Sequence, residues 1–222
     1  MHDYLSDLDG VEVHLAIDDL DDATVDRLLL LPDLNLHLTL RETSSAVLER
    51  LKAHPRLFGL RFVDTELGDE AAQLSGIKNL ESLELDRGRD VSKVLDAVIA
   101  SKTLRVLDLD GLPVQDNDVE RIASLTALNG LRLSNTKVTD SGVAHLSGLQ
   151  ELRELHLGSA KVTDAGAAHL SGLKELRELR LQYTEVTDSG AAHLSGLKEL
   201  KVLWLYGTGM TDSGVALSLI HI

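Results

Sequence analysis

Aliphatic residues recur along this chain in a fixed register. Leu107, Leu131, Leu155, Leu179 and Leu203 lie 24 residues apart, and each is followed two residues later by another leucine (Leu109, Leu133, Leu157, Leu181, Leu205). Toward the N-terminus, Leu83/Leu85, Leu60/Phe62, Leu36/Leu38 and Val13/Leu15 continue the series at spacings of 24, 23, 24 and 23. Each L-x-L segment has period two, so its leucines share one face of a strand and the residues between them share the other. The segment after Asp140 carries Val143, Leu146 and Leu149 at intervals of three, which predicts a short helix. Asp140 reads as the N-cap of that helix and Gly148 as its left-handed C-terminal residue. One unit of this size cannot bury both its faces, whereas stacked neighbours bury a continuous leucine column.

The pattern predicts one α/β domain over residues 1–222, a right-handed βα superhelix of horseshoe form with a parallel sheet on its concave face. A partial unit covers 1–12, and full units start near 13, 36, 60, 83, 107, 131, 155, 179 and 203, the last one incomplete. Self-similarity at a period in the twenties with an L-x-L core is the signature of a leucine-rich repeat solenoid. The phrase Val-Thr-Asp-x-Gly-x-x-His-Leu-x-x-Leu, at 138–149, 162–173 and 186–197, resembles the cysteine-containing type of leucine-rich repeat. That type is known from F-box/leucine-rich-repeat proteins and from bacterial leucine-rich repeat proteins. One departure stands out: the position usually holding Cys or Asn carries Thr136, Ala160, Thr184 and Thr208. No F-box precedes the repeats, and the chain has no Cys with which to perform the ligase chemistry of bacterial effectors.

Both ends depart from the repeat. Tyr4-Leu5-Ser6-Asp7-Leu8 aligns with His169-Leu170-Ser171-Gly172-Leu173, the back half of a unit, and residues 217–222 match no other unit. The expectation is a fragment of a longer repeat protein, with degenerate caps or dimerisation as the alternatives.

Charge narrows the partners. The chain has 22 Lys and Arg against 36 Asp and Glu, a net charge of −14, which disfavours nucleic acid and anionic membrane as partners. Residues 1–35 hold ten of the acids against the single base Arg27. The absence of Cys excludes disulfides, thiolate metal sites and cysteine nucleophiles. With no basic, apolar leader and no aliphatic run longer than Leu28 to Leu31, the expected location is the cytoplasm.

Comparing copies within the chain locates the variable surface. The units at 155 and 179 agree at 16 of 24 positions, and their differences cluster in and beside the strand. Drift at unconstrained positions and diversification by a ligand both produce that pattern. The concave ladder at the second position reads His14, His37, Arg61, Glu84, Asp108, Arg132, His156, Arg180 and Trp204, and the fourth position runs from Ala16 to Tyr206. Three of only six aromatic residues, Tyr183, Trp204 and Tyr206, fall in two adjacent units. With Arg132, Ser134, His156, Arg180 and Gln182 they make the candidate partner-binding set, since Trp, Tyr and Arg dominate interface hot spots. The middle of the ladder is acidic: Glu84, Asp86, Asp108 and Asp110.

Nine strands at about 4.8 Å make a face on the order of 40 Å long, which suits a protein or peptide rather than a small-molecule substrate. The aspartates at 116, 140, 164, 188 and 212 read as caps, and the histidines at 145, 169 and 193 stand one per repeat with no other ligand beside them. No catalytic, cofactor or metal motif is present, so the expectation is a non-enzymatic protein-interaction module with no cofactor and no metal. The alternative is the substrate-recognition arm of a larger ubiquitin-ligase-like or signalling protein.

Overall fold

The computed structural model describes residues 12–86, 88 and 91–212. The partial unit ahead of residue 12 and the aberrant stretch 217–222 therefore lie outside the described residues. Among the described residues nine strands form one sheet in chain order, and every neighbouring pair is parallel. They are β1 (Glu12–Asp19), β2 (Asn35–Glu42), β3 (Leu57–Phe62), β4 (Ser82–Leu85), β5 (Val106–Asp108), β6 (Gly130–Arg132), β7 (Glu154–His156), β8 (Glu178–Arg180) and β9 (Val202–Trp204). Short helices return the chain between them: α1 (Asp22–Leu29), α2 (Ser45–Leu51), α3 (Ser92–Val98), α4 (Asp116–Ile122), α5 (Asp140–His145), α6 (Asp164–His169) and α7 (Asp188–Leu194). A 3-10 segment, Asp69–Gly76, replaces a helix between β3 and β4.

The leucine column is real. Leu83, Leu107, Leu131, Leu155, Leu179 and Leu203 pair in one row, and all but Leu203 are buried. Val143, Leu146 and Leu149, and their equivalents in the next unit, close the core from the helical side.

The N-terminal register differs from the expected one. Leu36 pairs with Leu57 but His37 pairs with Gly59, so Phe58 is an extra residue in β3. Leu38/Leu40 and Leu15/Ile17 are consequently the partners of Leu60/Phe62, in place of Leu36/Leu38 and Val13/Leu15. A slip of two residues keeps every side chain on its own face, so the alternation that fixes the face leaves this choice open. His14 and His37 thus lie one row below the expected ladder, whose second positions begin with Ala16, Thr39 and Arg61. The His37 ring occupies the space above Gly59, where a Cβ would come within 1.9 Å of it.

Two expected caps also move. The N-cap of α5 is Thr139, whose hydroxyl accepts from the Ser141 amide, and Thr163 and Thr187 do the same for α6 and α7. Asp140 instead reaches forward one repeat: its carboxylate accepts from the Thr163 amide at 2.8 Å and from its hydroxyl at 2.6 Å. Asp116 binds Thr139, Asp164 binds Thr187 and Asp188 binds Thr211 in the same way. The aspartate ladder is therefore a row of staples between repeats. The recurrent glycine makes room for it, since a Cβ on Gly166 would stand 2.3 Å from Asp140 Oδ1.

Gly148 is not left-handed. That conformation belongs to the turns after β3 and after β5 to β9, at Asp64, Gly111, Asn135, Ser159, Tyr183 and Gly207, with φ between 54° and 75°. Where the family pattern has Cys or Asn, the buried hydroxyls of Thr136 and Thr184 donate to the carbonyls of Leu133 and Leu181 at 2.7 Å.

Candidate functional site

The face of the sheet away from the helices divides into three stretches. Across β6 to β8 the charged residues neutralise one another. Arg132 donates to Asp108 at 3.0 Å and to Glu154 at 2.7 Å, and Arg180 donates to Glu178 at 2.7 Å. His156 is buried, its Nε2 lying 3.0 Å from Glu154 and 3.3 Å from Glu178. The contact from His156, with Arg132 beside it, holds the Glu154 carboxyl at about 2 against the pull of burial. Glu154 and Glu178 were not among the expected site residues. Their signal was the Glu two positions before each basic residue, on the same face of the strand.

Ser134 is buried as well, its amide donating to Asp110. Gln182 is half-buried and lies over Gly158, where a Cβ would meet its amide nitrogen at 2.2 Å. Of the expected set, Ser134 and His156 are thus buried and Gln182 half-buried.

Beyond them, at β9 and the turn before it, the surface turns aromatic. Among the described residues five large hydrophobic side chains are exposed, and four of them, Tyr183, Val202, Trp204 and Tyr206, lie together here. The Arg180 guanidinium covers the Trp204 ring at 4.1 Å from its centroid. Tyr183 and Tyr206 meet edge to face with centroids 5.1 Å apart, and Trp204 and Tyr206 at 6.0 Å. Tyr183 is 62% exposed and sits in the left-handed turn at φ 57°, a position filled by Gly, Asn or Ser in its neighbours. A bulky side chain there costs about 1–2 kcal/mol, and the ring packs against Tyr206 and over Gly207.

In the other direction, β4 and β5 carry the acidic stretch. Glu84 is 3.7 Å from His37 and 3.8 Å from Arg61, with the His37 contact chiefly responsible for lowering its pKa. Burial pushes the Asp110 carboxyl up, and the neighbouring Asp108 adds to it. These acids, Asp86 and Arg61 line a shallow depression of about 120 Å³.

On the helical side, His145, His169 and His193 are exposed. No three His, Cys, Asp or Glu side chains among the described residues come together in a metal-holding group. No helix among them is long and apolar enough to cross a membrane.

The family described as Leucine Rich repeat matches residues 149–171 and 174–195. These stretches span β7 and β8 and the stapled helices α6 and α7. The fold is a leucine-rich-repeat solenoid. Solved structures agree with that fold. Internalin C2 of Listeria monocytogenes is 20% identical over 96% of this chain and 80% of its own, with a TM-score of 0.54. A leucine-rich-repeat protein of Leptospira interrogans is 22% identical over 86% of this chain and 53% of its own, with a TM-score of 0.55. No curated protein sequence matches the chain. The leucine-rich-repeat fold generally mediates protein–protein interaction, and its members are typically non-catalytic.

Proposed function

We propose that this solenoid binds a protein or peptide partner on its sheet face, without catalysis of its own, and that the anchor is the platform of Tyr183, Trp204 and Tyr206 with Arg180. The observation carrying this reading is the concentration of exposed apolar side chains: four of the five among the described residues share one patch. Aromatic side chains offer large contact area at low entropic cost and dominate hot spots when a partner dries them. Arg180 and Glu178 hold one another and orient the indole, so the platform is preorganised. The strained Tyr183 points the same way, because a costly conformation retained at an exposed residue marks a position held for something other than stability. The net charge of −14 argues against nucleic acid as the partner.

The test is capture of a partner by immobilised protein. Trp204→Ala combined with Arg180→Ala should abolish capture with an unchanged circular dichroism spectrum, while His169→Ala on the helical side should leave capture intact. Capture that survives the double change sinks the reading.

A further inference from the structure

The two ends of the sheet face differ in what they leave unsatisfied. At β6 to β8 the charges are consumed internally, because Arg132 is held by Asp108 and Glu154, and Arg180 by Glu178. The Asp86 carboxylate on the acidic stretch is exposed and makes no hydrogen bond or ion pair among the described residues. Asp110 is partly desolvated beside Asp108, to which its own amide donates, and its carboxylate accepts from the Ser134 amide. At the far end, Trp204 beside Arg180 and Tyr206 beside Tyr183 both remain exposed. A surface that is neutral in its middle, anionic at one end and apolar at the other is complementary to a ligand of the opposite arrangement.

Resting on the platform reading above, we infer that the partner presents an extended segment laid across the strands, with a cationic side chain against Asp86 and Asp110 and an apolar side chain on Trp204 and Tyr206. The strand order sets the spacing. Asp110 follows β5 and Trp204 lies in β9, four steps apart in the sheet. At about 4.8 Å per step the separation is roughly 19 Å, which an extended chain at about 3.3 Å per residue covers in about six residues. The segment runs perpendicular to the strands and makes its contacts through side chains, since every strand from β2 to β8 already pairs on both edges. The solenoid would thus select by the distance between one positive and one apolar residue, with the self-paired ladder between them contributing shape alone.

Fluorescein-labelled Gly/Ser peptides carrying one Arg-Lys pair and one Phe provide the probe, with the two groups separated by two, six or ten residues. Trp204 is the single tryptophan of the chain, so its emission reports contact at the platform directly. The six-residue spacing should bind at least about fivefold more tightly than either other spacing, the worth of one partly shielded ion pair, and should shift Trp204 emission. Asp86→Asn with Asp110→Asn, which keeps an acceptor for Ser134, should remove that advantage, as should high salt. Equal affinity at all spacings, or an advantage that persists in the double variant, overturns the inference. If affinity follows the Phe while ignoring spacing and charge, the platform stands and the polarity rule falls. If no peptide shifts Trp204 emission, both fall.

Discussion

The two halves of the solenoid solve the same stacking problem by different means. From α4 onward the units are copies, with three-residue strands, a left-handed turn residue and an Asp–Thr staple from each repeat to the next. From β1 to β3 the strands run six to eight residues and one carries a bulge. There, exposed ion pairs such as Arg50 with Asp22 and Asp26 connect successive helices. The N-terminal half draws on a longer backbone ladder and on salt bridges that water weakens. The C-terminal half draws on short ladders reinforced by charge-assisted hydrogen bonds to backbone amides, which are the stronger kind. Where each staple sits, the copies keep the same Asp and Thr.

The largest test of that contrast is Gly166→Ala. The added Cβ would meet Asp140 Oδ1 at 2.3 Å and Val162 Cγ1 at 2.7 Å, so the staple must shift and about 3 kcal/mol should be lost on denaturant titration. Next comes Asp140→Ala, which strands the amide and hydroxyl of Thr163 and should cost about 1–2 kcal/mol. Arg50→Ala, its counterpart in the N-terminal half, should leave the melting temperature nearly unchanged.

Acid should test the staples as well. Burial alone would raise the Asp164 carboxyl, but hydrogen bonds from Thr187 and Gly190 outweigh it and hold it below the usual range. The Thr187-equivalent bonds from Thr211 do the same for Asp188. Groups whose folded pKa is depressed stabilise above their unfolded value near 3.8 and lose that contribution as pH falls through the folded one. Hydrogen exchange between pH 5 and pH 2 should therefore show the stapled repeats loosening, with Glu154 protonating near 2.

Smaller still is Tyr183→Asn, which adopts φ 57° more easily and should leave stability within about 1 kcal/mol while partner capture drops. The smallest change is Gly172→Ala. Nothing stands within 4 Å of its Cβ and its φ is ordinary, so a gain of about 0.5 kcal/mol is expected.

Much of this architecture was legible. The 24-residue period of Leu107 through Leu203 gives the sheet order, and its two-residue alternation gives the face on which Arg132, Arg180 and Trp204 stand. The bulge at Phe58 was not legible, because alternation is blind to a shift by two. Nor was the role of Asp140. Its position at a helix start suggested a cap, and its actual partner is Thr163, twenty-three residues away in sequence and adjacent only once two repeats stack. The burial of His156 and Ser134 escaped for a related reason, since both are covered by neighbouring strands.

By itself, then, the sequence determined the repeat, the inward leucines and the outward variable positions, because periodicity is a local property of the chain. The tertiary structure alone decided which of those outward residues remain open. Stacking at strand spacing lets neighbouring charges and rings find one another, so Arg132 and His156 are consumed between repeats while Trp204, Tyr206 and Asp86 are left facing solvent.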